Sequence, residues 1–163
     1  MAQKIYTFKF LVLVFLLLCF FSYSILAETI TGHVMVIDAD TLKIGKNRIR
    51  LLGIDAPETK QTCFIKNEEW ECGKQATIAL KKLINSNIVR CETTGKDQYK
   101  RYIAECYVIN KNINQWLVQN GWAIAYRYYS KKFVDDEKIA RINKLGIWQG
   151  NFIEPYLYRK KNK

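Results

Sequence analysis

Histidine is nearly missing from this 163-residue chain: His33 is the single one, and no two cysteines stand in a Cys-x-x-Cys pair. These absences argue against a structural zinc site, which draws on paired cysteines and histidines at close spacing. Internal repeats and low-complexity linkers are also lacking, so one domain with one core is the simplest organisation. Acidic residues are scarce beside basic ones, with 15 Asp and Glu against 26 Lys and Arg. An excess of that sign fits a polyanionic partner, nucleic acid or an anionic membrane, although lysine-rich surfaces also serve solubility alone.

One long apolar run is present, and it lies at the N-terminus. Lys4 and Lys9 precede residues 10–21, which are apolar, and Ser22-Tyr23-Ser24-Ile25-Leu26-Ala27 follows. The order basic, apolar, small is that of an export signal, with cleavage expected after Ala27. The alternative is an uncleaved anchor, because residues 10–27 could just span a bilayer. Leu18 before Cys19 disfavours a lipoprotein signal. Without Lys4 and Lys9 the chain carries 24 basic and 15 acidic side chains, a net charge of +9. Four cysteines then remain, and an even number in a small exported domain points to two disulfides among three possible connectivities. Cys63 with Cys72 brackets a short loop, and Cys91 with Cys106 lies on two hairpin-like segments, so this pairing is preferred.

Periodicity gives strands first and helices later. Residues 29–38 alternate, 41–44 form a short strand, and Gly45-Lys46-Asn47 turns into a strand over 48–54. Pro57 stops that ladder, because it has no N–H to give and biases Ala56 toward an extended backbone. Residues 74–85 carry Ala76, Ala79, Leu80, Leu83 and Ile84 at helical spacing. Two strands, 87–92 and 101–108, are expected around a turn-rich connection at 93–97. Helices over 112–120 and 134–145 follow, the second with Asp135, Asp136 and Glu137 at the positive end of its dipole. By itself this supports an α+β class, mainly β, with a mostly antiparallel sheet.

Two stretches carry the chemistry: Asp38-Ala39-Asp40-Thr41, and Arg50-Leu51-Leu52-Gly53-Ile54-Asp55-Ala56-Pro57-Glu58. They bring three aspartates, a glutamate and an arginine to the ends of neighbouring apolar strands. Such charge is costly there unless a cation and an anion bind. With Asp97-Gln98-Tyr99-Lys100-Arg101, Gly121-Trp122-Ala123 and Gly146-Ile147-Trp148, the pattern resembles the thermonuclease family, whose founding member is staphylococcal nuclease. The likeness runs over about 31–158, and departs from the family at Lys100, where glycine usually precedes the second arginine.

The resemblance implies a five-stranded OB-fold barrel with three helices, organised as a signal peptide (1–27), a nuclease domain (28–158) and a basic tail (159–163). It implies calcium held by the carboxylates of Asp40 and Asp55 and the main-chain carbonyl of Ala56, with Asp38 orienting water nearby. Arg50 and Arg101 match the arginines that grip the scissile phosphate, and Glu58 the general base. Turn chemistry is the blander reading of the aspartates, and salt bridging that of the arginines. With no histidine in the motif, a carboxylate is the fitting local base. Tyr99, Tyr126 and Tyr128 match tyrosines lining a nucleotide pocket. The expected function is a secreted or periplasmic, calcium-dependent endonuclease acting on DNA, with RNA as a second substrate, by in-line attack of water. A monomer with no obligate protein partner is expected, with membrane contact only if the N-terminal segment stays uncleaved. A catalytically silent OB-fold binder of nucleic acid is the alternative.

Overall fold

The computed structural model describes residues 28–162. The expected signal segment and Cys19 lie outside the described residues, as does Lys163. The chain starts as a meander of β1 (Thr29–Gly32), β2 (Val34–Asp38), β3 (Thr41–Ile44) and β4 (Asn47–Leu51), and then enters the two-residue β5 (Ile54–Asp55). A small hairpin, β6 (Cys63–Ile65) and β7 (Glu68–Trp70), leads into helix α1 (Cys72–Ile84). The long strands β8 (Val89–Lys96) and β9 (Tyr102–Val108) follow, with β10 (Lys111–Asn112), helix α2 (Ile113–Gln119) and β11 (Ile124–Ala125). Helix α3 (Val134–Ile142), a 3-10 turn (Gly146–Gln149) and helix α4 (Pro155–Lys161) complete the fold.

The main sheet runs β1-β8-β9-β4-β3-β2, and its pairs are antiparallel except β4 with β9. β1 and β2 are separated only by His33, so one bent strand borders both ends of the sheet and curls it into a barrel. Gly32 stands at that bend, where a Cβ would lie 2.8 Å from Ile44 Cγ2. The five strands expected from periodicity are therefore all present, the first split in two and the third, expected over 48–54, ending at Leu51 where Gly53 turns the chain out of the main sheet. The expected connection at 93–97 instead continues β8 as far as Lys96, because a register shift between Thr93 and Gly95 absorbs the turn-forming residues without ending the ladder. Such bulges bend a strand and raise its twist, which helps a small sheet to close.

Packing follows the alternation. Ile49 and Leu51 of β4 point into the barrel with Leu42 and Ile44 of β3. α1 covers them with Ala76, Leu80 and Ile84, and α2 adds Leu117 and Val118. The three expected helices are present, and α1 starts two residues early, at Cys72. A second, smaller cluster gathers Cys63, Cys72, Ile124 and Ile147 under Trp70, Trp148 and Phe152. Both expected disulfides form, Cys63 to Cys72 and Cys91 to Cys106.

The segment expected as a basic tail departs most from the sequence reading. Residues up to Lys161 are helical, with Pro155 at the first turn, where its missing N–H costs nothing. Among the described residues no helix is long and apolar enough to cross a membrane.

Cys91 and Cys106 stand opposite each other in the β8–β9 ladder, and their bridge closes a loop with a sequence separation of 15. The double variant Cys91→Ala/Cys106→Ala should lose about 2–4 kcal/mol of unfolding free energy in urea titrations. An unchanged midpoint would contradict a structural role for this bridge.

Candidate active site

Strand register creates the site. Thr41 pairs with Arg50 across β3 and β4, and the Leu51 N–H donates to the Asp40 carbonyl at 2.9 Å. Arg50 thus emerges beside Asp40 on the face of β4 opposite Ile49 and Leu51. The turn before β3 is held by the Asp40 N–H, which donates to Asp38 Oδ1 at 3.1 Å. Gly53 then adopts φ +73°, a conformation open to glycine at little cost, and redirects the chain into β5. Asp55 is placed by pairing of β5 with β11, in which it faces Ile124.

The three motif residues meet directly. Arg50 Nη1 donates to Asp40 Oδ1, and Arg50 Nη2 to Asp55 Oδ1 at 2.7 Å. Asp40 Oδ2 accepts from the Ala56 N–H at 2.9 Å and its Oδ1 from the Thr41 hydroxyl at 3.1 Å. Asp40 and Asp55 are 2% and 0% exposed. Burial, then the charge of Asp40, pushes the Asp55 carboxyl up, against the pull of Arg159 and Arg50. Asp38 is pushed up to about 7, by burial first and then by Asp40. For Arg50, burial disfavours the charge, yet Asp40 and Asp55 outweigh it and hold the guanidinium above its usual range.

One carboxylate oxygen is left over. Asp55 Oδ2 is buried and has no hydrogen-bond partner among the described residues. A buried carboxylate oxygen without a donor is expensive, and a bound cation would satisfy it. All-oxygen carboxylate donors suit a hard ion. Among the described residues, no group of three His, Cys, Asp or Glu side chains is gathered to hold a metal unaided. A cation here would therefore draw on main-chain oxygen, water and a ligand anion beside Asp40 and Asp55.

Glu58 sits on a clamped loop. The Gln61 N–H donates to the Glu58 carbonyl at 2.7 Å, and the Gly73 N–H to the Gln61 carbonyl at 3.1 Å. A Cβ on Gly73 would stand 1.7 Å from the Glu58 carbonyl oxygen, so only glycine lets α1 approach this loop. The early start of α1 has the same cause, since Cys72 and Gly73 are buried against that loop. Glu58 Oε1 accepts from Arg159 Nη1 at 3.0 Å.

Arg101 is set by Asp97. Asp97 Oδ1 accepts from the Tyr99 and Arg101 N–H groups at 2.9 and 3.0 Å, and Oδ2 from Arg101 Nε at 2.7 Å. Burial pushes the Asp97 carboxyl up, but these hydrogen bonds to Arg101 and Tyr99 outweigh it and hold the group below its usual range. Lys100 adopts φ +62°. The residue before Arg101 therefore keeps the left-handed backbone that a glycine would take, and the lysine side chain bears a cost of about 1–2 kcal/mol for it.

An open cavity of about 1120 Å³ joins these groups. Asp38, Arg50, Glu58 and Arg101 line it with Tyr99 and Tyr126, whereas Tyr128 is not on its wall. The Tyr128 ring is 82% exposed and packs edge-on against Tyr129, with centroids 5.0 Å apart. Tyr129, Tyr156, Arg159 and Lys160 line the cavity without having been singled out in the sequence. Arg159 and Lys160 belong to the segment expected as a basic tail, and Glu154-Pro155 is the helix start that brings them and Tyr156 here.

Glu137 lies in the first turn of α3, as expected, and does more than face the dipole. It is buried, takes the Ala125 N–H at 2.8 Å and pairs with Arg127 at 3.0 Å, so α3 anchors β11 and through it Asp55. Glu137→Ala should cost about 1–3 kcal/mol by orphaning that N–H, and Glu137→Gln, which keeps an acceptor, distinctly less. Chemical unfolding of both variants checks the order; equal losses would contradict it.

Comparison with known proteins matches residues 48–150 to the model of a family described as staphylococcal nuclease homologue. A succinoglycan biosynthesis protein, ExoI, of Rhizobium meliloti is 35% identical over 127 residues, covering 76% of this chain and 66% of that protein. An Escherichia coli protein named as an uncharacterized endonuclease is 31% identical over 155 residues, 90% of this chain and 95% of its own length. A prophage-derived endonuclease of Bacillus subtilis, YokF, is 34% identical over 130 residues, 71% of this chain and 42% of that protein.

Proposed function

The chain belongs to the family of staphylococcal nuclease homologues, and from that membership we propose that it is a calcium-dependent phosphodiesterase cutting DNA and RNA with little regard to sequence. That it is a nuclease with a nucleic acid substrate follows from the family and its endonuclease-named relatives. The metal, the RNA activity and the residue roles are our reading. The observation that carries it is Arg50 shared between Asp40 and Asp55 on the wall of a basic cavity that Glu58, Arg101, Tyr99 and Tyr126 also line.

Asp40 and Asp55 are the carboxylates that would hold calcium, with the Ala56 carbonyl, and the unpartnered Asp55 oxygen is consistent with that. Bound calcium supplies positive charge against the phosphate. Arg50 and Arg101 donate to the phosphate oxygens, and a guanidinium can give two parallel bonds and keep its charge as the transition state gathers negative charge. Glu58 takes the proton of the attacking water, with Asp38 orienting water close by. The water attacks phosphorus in line with the leaving oxygen, and no covalent enzyme intermediate forms. Such general-base help is worth about 10²–10⁴-fold. Contacts directed at the sugar-phosphate backbone carry no base preference, and tyrosine rings accept any base face.

We also read residues 1–27 as an export signal, which agrees with two disulfides and their need for an oxidising compartment. The mass of the exported protein tests cleavage after Ala27.

Digestion of plasmid DNA and of RNA by the oxidised chain, with calcium added or removed by a selective chelator, tests the function. Cleavage should stop on chelation and return on adding calcium. Glu58→Gln and Arg50→Lys should each lower kcat by at least about 10²-fold, the range expected for losing a base or a charge-stabilising donor, while circular dichroism stays native. Wild-type turnover in either variant, or cleavage under excess chelator, would overturn the assignment.

A further inference from the structure

Beyond residue 150, where the family match ends, the chain folds back over the site instead of leaving it. Asn151 exchanges two main-chain hydrogen bonds of 2.8 Å with Phe64. Gln61, which is fully buried, donates from Nε2 to the Ile153 carbonyl at 2.7 Å. The Tyr158 hydroxyl donates to the Lys60 carbonyl at 3.3 Å, and Pro155 is buried. The C-terminal segment is thus fastened to the loop that carries Glu58. Its helix α4 presents Tyr156, Arg159 and Lys160, at i, i+3 and i+4, to the cavity.

Arg159 reaches into the centre of the site. Its Nη2 lies 2.9 Å from Asp55 Oδ1 and its Nη1 lies 3.0 Å from Glu58 Oε1. Asp55 Oδ1 therefore receives Arg50 from one side and Arg159 from the other. The two guanidinium groups share one carboxylate oxygen although their like charges repel, an arrangement that four nearby acids, Asp38, Asp40, Asp55 and Glu58, make tolerable. Arg159 is half-buried, and a guanidinium offers more N–H donors than these two carboxylates consume. An anion entering between Arg50 and Arg159 would meet donors from two directions, with Lys160 adding charge at the rim.

Building on the function proposed above, we propose that α4 is a wall of the nucleic-acid groove and that Arg159 is a third arginine binding the substrate's phosphate. In the free protein it rests on Asp55 and Glu58; with substrate present it donates to the phosphate next to them. The chain thereby takes from its own C-terminus a contact that lies outside the stretch shared with the family model. The opposite reading, a latch that competes with substrate, predicts tighter binding once Arg159 is removed.

Salt dependence separates these outcomes, because losing one phosphate contact on a single strand lowers the slope of log K against log salt by about 0.7. The probe is a fluorescent single-stranded oligodeoxynucleotide with phosphorothioate linkages, bound to the full chain by anisotropy in the presence of chelator, so that no cleavage intervenes. Arg159→Ala should lower that slope by about 0.7 and weaken binding roughly tenfold at low salt, whereas Arg159→Lys should keep the slope. In cleavage assays Arg159→Ala should raise KM more than it lowers kcat. An unchanged slope, or tighter binding by Arg159→Ala, would overturn the inference. Arg50→Ala and Arg101→Ala in the same titration isolate the cause: a lowered slope in them alone sinks only the role of Arg159, and no change in any of the three sinks the phosphate site as a whole.

Discussion

Two aspartates withdrawn from water around one guanidinium are the constraint that organises this protein. Asp40 comes from the turn before β3 and Asp55 from β5, and each is all but inaccessible to solvent. Buried charge of that kind must be paired or it makes the fold costly. Arg50 provides the pairing without completing it, since one Asp55 oxygen stays without a donor among the described residues. The sheet does what is required to hold the trio: β3 and β4 align Thr41 with Arg50, while β5 reaches Asp55 to β11. Removing Arg50 would leave Asp40 buried without a counter-charge, so this contact bears directly on the fold.

The supports around that centre are rigid in ways that can be named. Glu137 ties α3 to β11 and so fixes the far side of Asp55. The Glu58 loop is pinned by the approach of α1 at Gly73, by the Cys63–Cys72 bridge and by the buried Gln61. Asp97 fixes both the main chain and the guanidinium of Arg101. Reacting groups held on such a frame need little reorganisation when charge develops, which is the main source of electrostatic catalysis.

The motif residues could be read in the sequence because Asp40, Arg50 and Asp55 lie within sixteen positions of each other, in and around two short strands joined by the turn at Gly45. Barrel closure was less visible, as it depends on a bend at Gly32-His33 and on a parallel pairing of β4 with β9 that joins Ile49 to Tyr102, far apart in the chain. Lys100 departs from the family's glycine, but the Asp97 turn imposes the backbone there and the lysine conforms to it. The role of α4 was hidden altogether. Arg159 meets Glu58 across 101 positions, and a run of arginine and lysine at a terminus carries no local sign of where it docks. Glu137 was concealed by its neighbours: Asp135, Asp136 and Glu137 look alike on a first helical turn, and only the third is buried.

A site made of buried carboxylates and arginines should bind cation and anion as a pair, because each relieves the charge that makes the other costly. Calorimetric titration of calcium into the Glu58→Gln chain, alone and with a phosphorothioate dinucleotide present, measures that coupling directly. Each ligand should tighten the other by roughly tenfold or more, the range of ordinary site-to-site coupling. Equal calcium affinity with and without the nucleotide would contradict a shared site around Asp40, Arg50 and Asp55.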